Sequence, residues 1–153
     1  MDHQIESKHN FKIISLIVIT MASFSVIQWN ARGLSNKIHD LLETCKLNLP
    51  DIICVQETNL LKHQYFDLEG YRTVLRFGER KSKKEGVGTG LMIAINNKHT
   101  GWVIGKQEND HGQLMTATVF IHNKYQIKIT NIYRKSRKFS KNEGELFIKM
   151  IQT

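Results

Sequence analysis

The chain has 153 residues, of which 41% are hydrophobic and 24% are charged. This composition fits one soluble globular domain with a buried core and no low-complexity tract. The 22 basic side chains outnumber the 14 acidic ones, and half of the basic ones lie in the ranges 72–84 and 134–141. Such clusters suit a polyanionic partner, although a solvated loop surface would give the same pattern.

Residues 1–22 are interpreted as an N-terminal extension, and the domain is placed at 23–153. The range 13–29 has no charged residue and follows Lys8 and Lys12, which imitates a secretory signal. Its apolar part is shorter than the roughly 20 residues of a membrane span, so no membrane association is expected. An extension or an extra strand is favoured over a cleaved signal.

The first elements form a predicted β-α-β unit. Residues 24–29 predict a strand that ends at Asn30, and Ser35 is the predicted N-cap of the following helix. Pro50 ends that helix, and the apolar run 52–55 predicts a buried strand just before Glu57. The connection between two such parallel strands is right-handed. The apolar face of the helix consists of Ile38, Leu41, Leu42, Cys45 and Leu49.

The rest of the chain predicts short strands with antiparallel pairing. A short helix or turn at 60–66 precedes a strand at 71–77, and the glycine-rich basic range 78–90 predicts a loop. Further strands are predicted at 91–95 and 102–104, a hairpin from 114–121 and 125–133, and a helix after Ser140. Cys45 and Cys54 are expected to be buried free thiols rather than a disulfide. The mixture predicts an α/β fold, most simply a layered sandwich.

Three polar residues follow or end predicted strands: Asn30, Glu57 and Tyr133. Because parallel strands end at the same edge of a sheet, Asn30 and Glu57 should emerge together. A glutamate carboxylate is a ligand that Mg²⁺ prefers, and an asparagine amide can hydrogen-bond a phosphate. Tyr133 adds a hydroxyl, and its neighbour Arg134 adds a phosphate-binding guanidinium. These residues form the candidate site.

The same residues carry a family resemblance. The stretch 29–34 (WNARGL) resembles the first motif of non-LTR retrotransposon endonucleases, which belong to the endonuclease/exonuclease/phosphatase superfamily. The stretch 56–58 (QET) resembles their metal-binding motif, 88–95 (GTGLMIAI) a glycine-led strand, and 131–134 (NIYR) their tyrosine motif. The resemblance implies that Glu57 holds a divalent metal, that Asn30 supports phosphate binding and that Tyr133 contacts the scissile phosphate. A proline that commonly follows the tyrosine motif is replaced here by Lys135 and Ser136.

The resemblance further implies a four-layer α/β/β/α sandwich of the DNase I-like type, here without its C-terminal part. The family's Gly-Asp-Phe-Asn motif does not occur in the sequence, and its C-terminal aspartate-histidine motif is not recognised either, because the neighbours Asp110 and His111 are expected to lie in a loop. Mg²⁺ or Mn²⁺ is the implied cofactor, with no small-molecule cofactor, and DNA is the implied partner. An intracellular, nuclear location is implied as well. Besides Arg134, the expected DNA-binding residues are Arg32, Arg80, Lys81, Lys83 and Lys84.

Three interpretations of function stay open at this point. The leading one is an incomplete metal-dependent DNA endonuclease of a mobile element. The second is a nucleic-acid-binding remnant without catalysis, and the third is a superfamily phosphatase that acts on a small phosphorylated substrate. The basic clusters favour the first two over the third.

Overall fold

The computed structural model describes residues 24–78, 89–99, 102–109, 112–121 and 125–134, and of residues 102–104, 106–109 and 121 it describes the backbone alone. Its helix is α1 (Ile38–Asn48), and two 3-10 turns lie at Ser35–Lys37 and Lys62–Gln64. The strands, in chain order, are β1 (Val26–Asn30), β2 (Ile52–Gln56), β3 (Tyr71–Arg76), β4 (Leu91–Asn96), β5 (Trp102–Asn109), β6 (Gly112–Ile121) and β7 (Tyr125–Arg134).

The described strands form two sheets. The first has the order β1-β2-β4-β3, in which β1 and β2 are parallel and the other neighbours are antiparallel. The second is the antiparallel meander β5-β6-β7. The parallel pairing of Val26 with Ile52 through to Asn30 with Gln56 confirms the predicted β-α-β unit.

The sheets pack face to face, with α1 on the outer face of the first sheet. Residues of β2 and β4 alternate between the two sides, as strand geometry requires. Ile53, Val55 and Met92 pack on α1, whereas Ile52 and Ile93 face the second sheet. The described residues thus form α/β/β layers of the predicted sandwich, and the α/β fold class is confirmed. The inter-sheet core also contains Phe24, Cys54, Leu91, Ile95, Met115, Ala117 and Val119.

Two details of the predicted helix are wrong. Ser35 makes no N-cap: it opens a 3-10 turn that is closed by the hydrogen bond from the Lys37 amide to the Leu34 carbonyl, and α1 begins at Ile38 without a side-chain cap. Leu49 does not face the core either, since its side chain is 65% exposed. It follows the last helical residue with a left-handed backbone (φ +43°), which turns its side chain away from the buried stripe.

Strand β5 is longer than predicted. Its pairing with β6 runs from Trp102 to Asn109, whereas the apolar signal ends at Ile104. The polar residues after Ile104 continue the strand because β6 pairs with each of them. Local composition does not reveal this long-range pairing.

The cysteine prediction is confirmed, since Cys45 and Cys54 are both buried and free. In the described part of the chain, no helix is both long and apolar enough to cross a membrane. The N-terminal extension, most of the basic loop, the hairpin loop and the C-terminal helix after Ser140 lie outside the described residues.

Candidate active site at one rim of the sheets

The candidate site is built where the loops after β1 and β2 continue the hydrogen bonding of the sheet. The Ala31 amide donates to the Gln56 carbonyl at 2.9 Å, and the Gly33 and Leu34 amides donate to the carbonyls of Glu57 and Thr58, each at 2.8 Å. These bonds tie the two loops to each other beyond the last strand residues. The backbone that carries the polar side chains of either loop is therefore held in place by hydrogen bonds.

Glu57 itself has a left-handed backbone, with φ +50°. This conformation is uncommon for a residue with a side chain and persists where the surroundings hold it. Here the next amide, that of Thr58, donates to the Gly90 carbonyl at 3.1 Å, and the Asn59 amide donates to the Thr89 carbonyl at 2.8 Å. The turn that aims the Glu57 carboxylate is thus fixed from the β4 side as well.

Gly90 is required by this packing. Its backbone has φ +99°, and a Cβ atom there would lie 2.3 Å from the Thr58 hydroxyl oxygen and 3.2 Å from the Arg76 carbonyl oxygen. Only glycine tolerates both the conformation and the contact. The glycine that leads β4 therefore lets this strand approach the Glu57 loop.

The structure brings Asn30, Glu57 and Tyr133 together. The Asn30 Nδ2 donates to Glu57 Oε1 at 2.9 Å, and the Arg32 amide donates to Asn30 Oδ1 at 3.3 Å, which together orient the Asn30 side-chain amide. Burial, the negative charge of Glu57 and a hydrogen bond from the hydroxyl to Glu57 raise the pKa of Tyr133. The Tyr133 hydroxyl therefore keeps its proton at neutral pH and can act as a donor.

The predicted DNA-binding residues are only partly described. Arg32 lies two residues after Asn30 and is exposed, and Arg134 follows Tyr133 and is exposed as well. Both are thus at the rim that carries Glu57. Arg80, Lys81, Lys83 and Lys84 lie outside the described residues.

Glu57 is the carboxylate that binds Asn30 at this rim, and the described residues contain no group of three histidine, cysteine or acidic side chains that could hold a metal. Such a site does not suit Zn²⁺, which takes three or four protein ligands. It does fit Mg²⁺, which keeps several waters and takes one or two carboxylates together with phosphate oxygens. The partly exposed Glu57 carboxylate has the oxygen chemistry for this role.

Sequence reasoning missed three buried amides behind the site: Gln56, Gln113 and Asn131. Gln113 Oε1 accepts from the Gly90 amide at 2.8 Å, and Gln56 Nε2 donates to Asn131 Oδ1 at 2.5 Å. Two of these amides could have been noticed in the sequence, because Gln56 and Asn131 lie inside the motifs that contain Glu57 and Tyr133. Their partners belong to the other sheet, so no local pattern points to the pairing.

A second polar cluster lies at the opposite rim. Asp51, which precedes β2, binds Ser25, Lys98 and His99. His99 is therefore paired with an aspartate, but at the far end of β2 from Glu57. This pair is not part of the candidate site.

Comparison of the fold with solved structures finds three informative neighbours. D. rerio TDP2 in complex with a single-strand DNA product matches with a TM-score of 0.59 at 18% identity, over 84% of this chain and 52% of that chain. The 3′ phosphatase NExo from Neisseria, bound to a product DNA hairpin, gives 0.57 at 16% identity, over 85% and 51%. An AP endonuclease from Archaeoglobus fulgidus gives 0.56 at 17% identity, over 85% and 49%.

The chain spans about half the length of these proteins. No protein-family model matches the sequence, and no curated protein matches it. At these identities the likeness establishes the fold, which all three neighbours share with the chain. The chain thus has the fold of the endonuclease/exonuclease/phosphatase superfamily, as its motifs indicated.

Proposed function

We propose that this chain contributes Asn30, Glu57 and Tyr133 to the active site of a metal-assisted phosphodiesterase that acts on DNA. The observation that carries the proposal is the contact of Glu57 with both Asn30 and Tyr133, which come from different strands and from both sheets. A carboxylate, an amide and a protonated phenol are suited to binding a metal and a phosphate side by side. Two of the similar structures contain DNA, which supports DNA as the substrate class.

Each residue has a distinct proposed role. Glu57 would hold Mg²⁺ or Mn²⁺, and a bound cation would offset charge that develops on the phosphate. Asn30 orients the Glu57 carboxylate through its 2.9 Å hydrogen bond. Tyr133, which keeps its proton, would turn its single O–H from Glu57 to a phosphate oxygen of the bound DNA. Arg32 and Arg134 would contact neighbouring phosphates.

We further propose that the protein is an endonuclease of a mobile element. The support for this narrower assignment is the form of the motifs around Asn30, Glu57 and Tyr133 in the sequence. Transcripts that contain this chain should then encode the Gly-Asp-Phe-Asn motif in the same reading frame, followed by a reverse transcriptase. A transcript whose reading frame continues with neither would contradict the assignment.

DNA binding with and without Mg²⁺ tests the site. Fluorescence anisotropy with a labelled duplex should show tighter binding by the unmodified chain when Mg²⁺ is present, and Glu57→Gln should abolish this increase. Asn30→Leu should weaken the Mg²⁺ response about 10-fold or more, the usual cost of losing a partner of a metal-binding carboxylate. Glu69→Gln is the matched control, because Glu69 is exposed and lies beside the start of β3, at the other rim. Equal responses of the two glutamate variants would refute the site.

The alternative of nucleic-acid binding without catalysis is favoured by the absence, among the described residues, of a group of three histidine, cysteine or acidic side chains that could hold a metal. In addition, His99, the described histidine that pairs with a carboxylate, binds Asp51 at the opposite rim rather than Glu57. A general base contributes roughly 10²–10⁴-fold to such a reaction. We therefore expect the 153-residue chain to bind DNA but to nick supercoiled plasmid little or not at all with Mg²⁺. Robust nicking by the chain that is abolished in Glu57→Gln would instead show that the chain is catalytically competent.

A further inference from the structure

A buried pair of amides connects the two sheets directly behind the candidate site. Gln56 is the last residue of β2, Asn131 lies on β7, and the side chains of both are nearly inaccessible to solvent. Gln56 Nε2 donates to Asn131 Oδ1 at 2.5 Å. The inter-sheet core beside them is mostly apolar, and a polar group there is costly unless its hydrogen bonds are satisfied.

Asn131 satisfies its whole amide group in this position. Its Nδ2 donates to the Val55 carbonyl at 3.1 Å and to the Met92 carbonyl at 2.9 Å, while its Oδ1 accepts from Gln56. One side chain of the second sheet therefore binds both β2 and β4 of the first. An aspartate would lose both donors, and a leucine would lose all three bonds.

Gln56 and Asn131 are close in sequence to Glu57 and Tyr133, the two residues that meet at the rim. Gln56 immediately precedes Glu57, and Asn131 precedes Tyr133 by two residues. Residues i and i+2 of a strand point to the same face. Tyr133 accordingly packs on the inter-sheet core, on the side from which Asn131 reaches the first sheet.

The pair therefore controls the register of the two sheets at the rim. Apolar packing is non-directional and specifies the alignment of β7 on β2 less sharply than hydrogen bonds do. The three hydrogen bonds of Asn131 are directional and admit one alignment, and buried polar groups of this kind can select a unique arrangement. A shift along the strand would separate the Tyr133 hydroxyl from Glu57.

We infer that Gln56 and Asn131 are positioning residues, which hold β7 on β2 so that the Tyr133 hydroxyl meets the Glu57 carboxylate. Neither is proposed to touch the substrate. The functional meaning of the pair rests on the proposed function, because that function makes Glu57 and Tyr133 the site. The geometric claim itself can be tested without any activity.

The position of the Tyr133 ring provides the test. In the full chain labelled with ¹³Cζ-tyrosine, the Tyr133 signal is assigned by its loss in Tyr133→Phe, and its chemical shift is measured by NMR at one neutral pH. Asn131→Leu and Gln56→Met should move this signal towards that of an exposed tyrosine, because the ring leaves the inter-sheet core on which it packs. Each should also lower the folding equilibrium constant about 10-fold or more, since a buried amide loses its partner.

Val119→Ala is the matched control. Val119 is fully buried in the same inter-sheet core, but it pairs with Ile127, far along β7 from Tyr133. This variant should also lose stability, yet its Tyr133 signal should stay where it is in the unmodified chain. If Asn131→Leu fails to fold, Gln56→Met still decides: it keeps the bonds of Asn131 to Val55 and Met92, so its Tyr133 signal should move in the same direction but by less.

An unchanged Tyr133 signal in a folded Gln56→Met or Asn131→Leu variant would overturn the inference and leave the pair a purely stabilising contact. A shifted Tyr133 signal in Val119→Ala would overturn it too, because any loss of stability would then move Tyr133. A chain that shows the expected signals but no Mg²⁺-dependent DNA binding would refute the proposed function and leave the positioning role intact.

Discussion

Asp51 should be the most important charged residue for stability in the described part of the chain. Its carboxylate is 2% exposed and accepts hydrogen bonds from the Ser25 amide at 2.7 Å and the Ser25 hydroxyl at 3.1 Å. Its other oxygen lies 2.6 Å from both His99 Nε2 and Lys98 Nζ. The residue thereby ties the segment before β1 and the end of β4 to the start of β2.

The Asp51→Asn substitution keeps the shape of the side chain but removes its charge and places an NH₂ group against donors. Lys98 is 52% exposed, so its ion pair contributes only about 0–1 kcal/mol. The hydrogen bonds to Ser25 and to His99 dominate, and leaving the buried partners of a lost group unsatisfied costs about 1–3 kcal/mol, more where that group is charged. This loss is a large fraction of the roughly 5–15 kcal/mol that stabilises a typical domain.

The effect should also depend on pH. Burial alone would raise the pKa of Asp51, but Lys98, the Ser25 amide and His99 outweigh it and lower the pKa below its ordinary 3.8. A lowered carboxyl pKa gives stability that is complete above the ordinary value and is lost as the pH falls through the folded-state value. The difference between the unmodified chain and Asp51→Asn should therefore be largest near neutral pH and shrink in acid.

Urea unfolding at several pH values between about 7 and about 3 measures both effects. Asp67→Asn is the control, because Asp67 is exposed and accepts a hydrogen bond from the equally exposed Tyr65 hydroxyl. It should change the free energy of unfolding by no more than about 0.5 kcal/mol. The reasoning is refuted if Asp51→Asn costs as little as Asp67→Asn, or if its cost is the same in acid as at neutral pH.

Three further outcomes are expected. Gly90→Ala should destabilise the chain by more than about 2 kcal/mol in thermal denaturation, through the clash with Thr58, whereas Gly105→Ala, which meets nothing within 4 Å, should have little effect. Burial raises the pKa of Cys45 to about 11 and that of Cys54 to about 12, so neither thiol should react with Ellman's reagent at mildly alkaline pH until the chain is unfolded; rapid native reaction would contradict this. Joint replacement of four basic residues by alanine should lower the salt dependence of DNA binding by about one slope unit for each phosphate that these residues bind, and an unchanged slope would make them a solvated surface. These four are Arg80, Lys81, Lys83 and Lys84.

The local part of the fold could be predicted from the sequence because its signals are local. The uncharged buried run before Glu57 and the helical spacing from Ile38 to Cys45 depend on neighbours within a few residues. The β-α-β unit follows from them, and it places Asn30 beside Glu57. Leu49 shows the limit, since its spacing fits the helical stripe but the chain turns one residue too early for it to be buried.

The contacts between residues far apart in the sequence could not be predicted in the same way. Asp51 reads as a turn residue after Pro50, and only the fold shows that Ser25 and His99 surround it. Tyr133 was identified by its place at a strand end and by its motif, but the identity of its neighbour depends on which sheet faces which. Such information is absent from any short stretch of sequence.

The buried amides explain why a motif can be longer than its chemistry requires. In the proposed site, Glu57 and Tyr133 would bind the metal and the phosphate, yet each is preceded within two residues by a side chain that binds the opposite sheet. A carboxylate and a phenol from separate sheets can meet only if the two sheets are held in one alignment. Hydrogen bonds, which are directional, define this alignment more sharply than hydrophobic contact does. Gln56 and Asn131 supply that constraint at the point where the site needs it. The Gln-Glu and Asn-Ile-Tyr patterns are therefore best understood as pairs of a positioning residue and a functional residue.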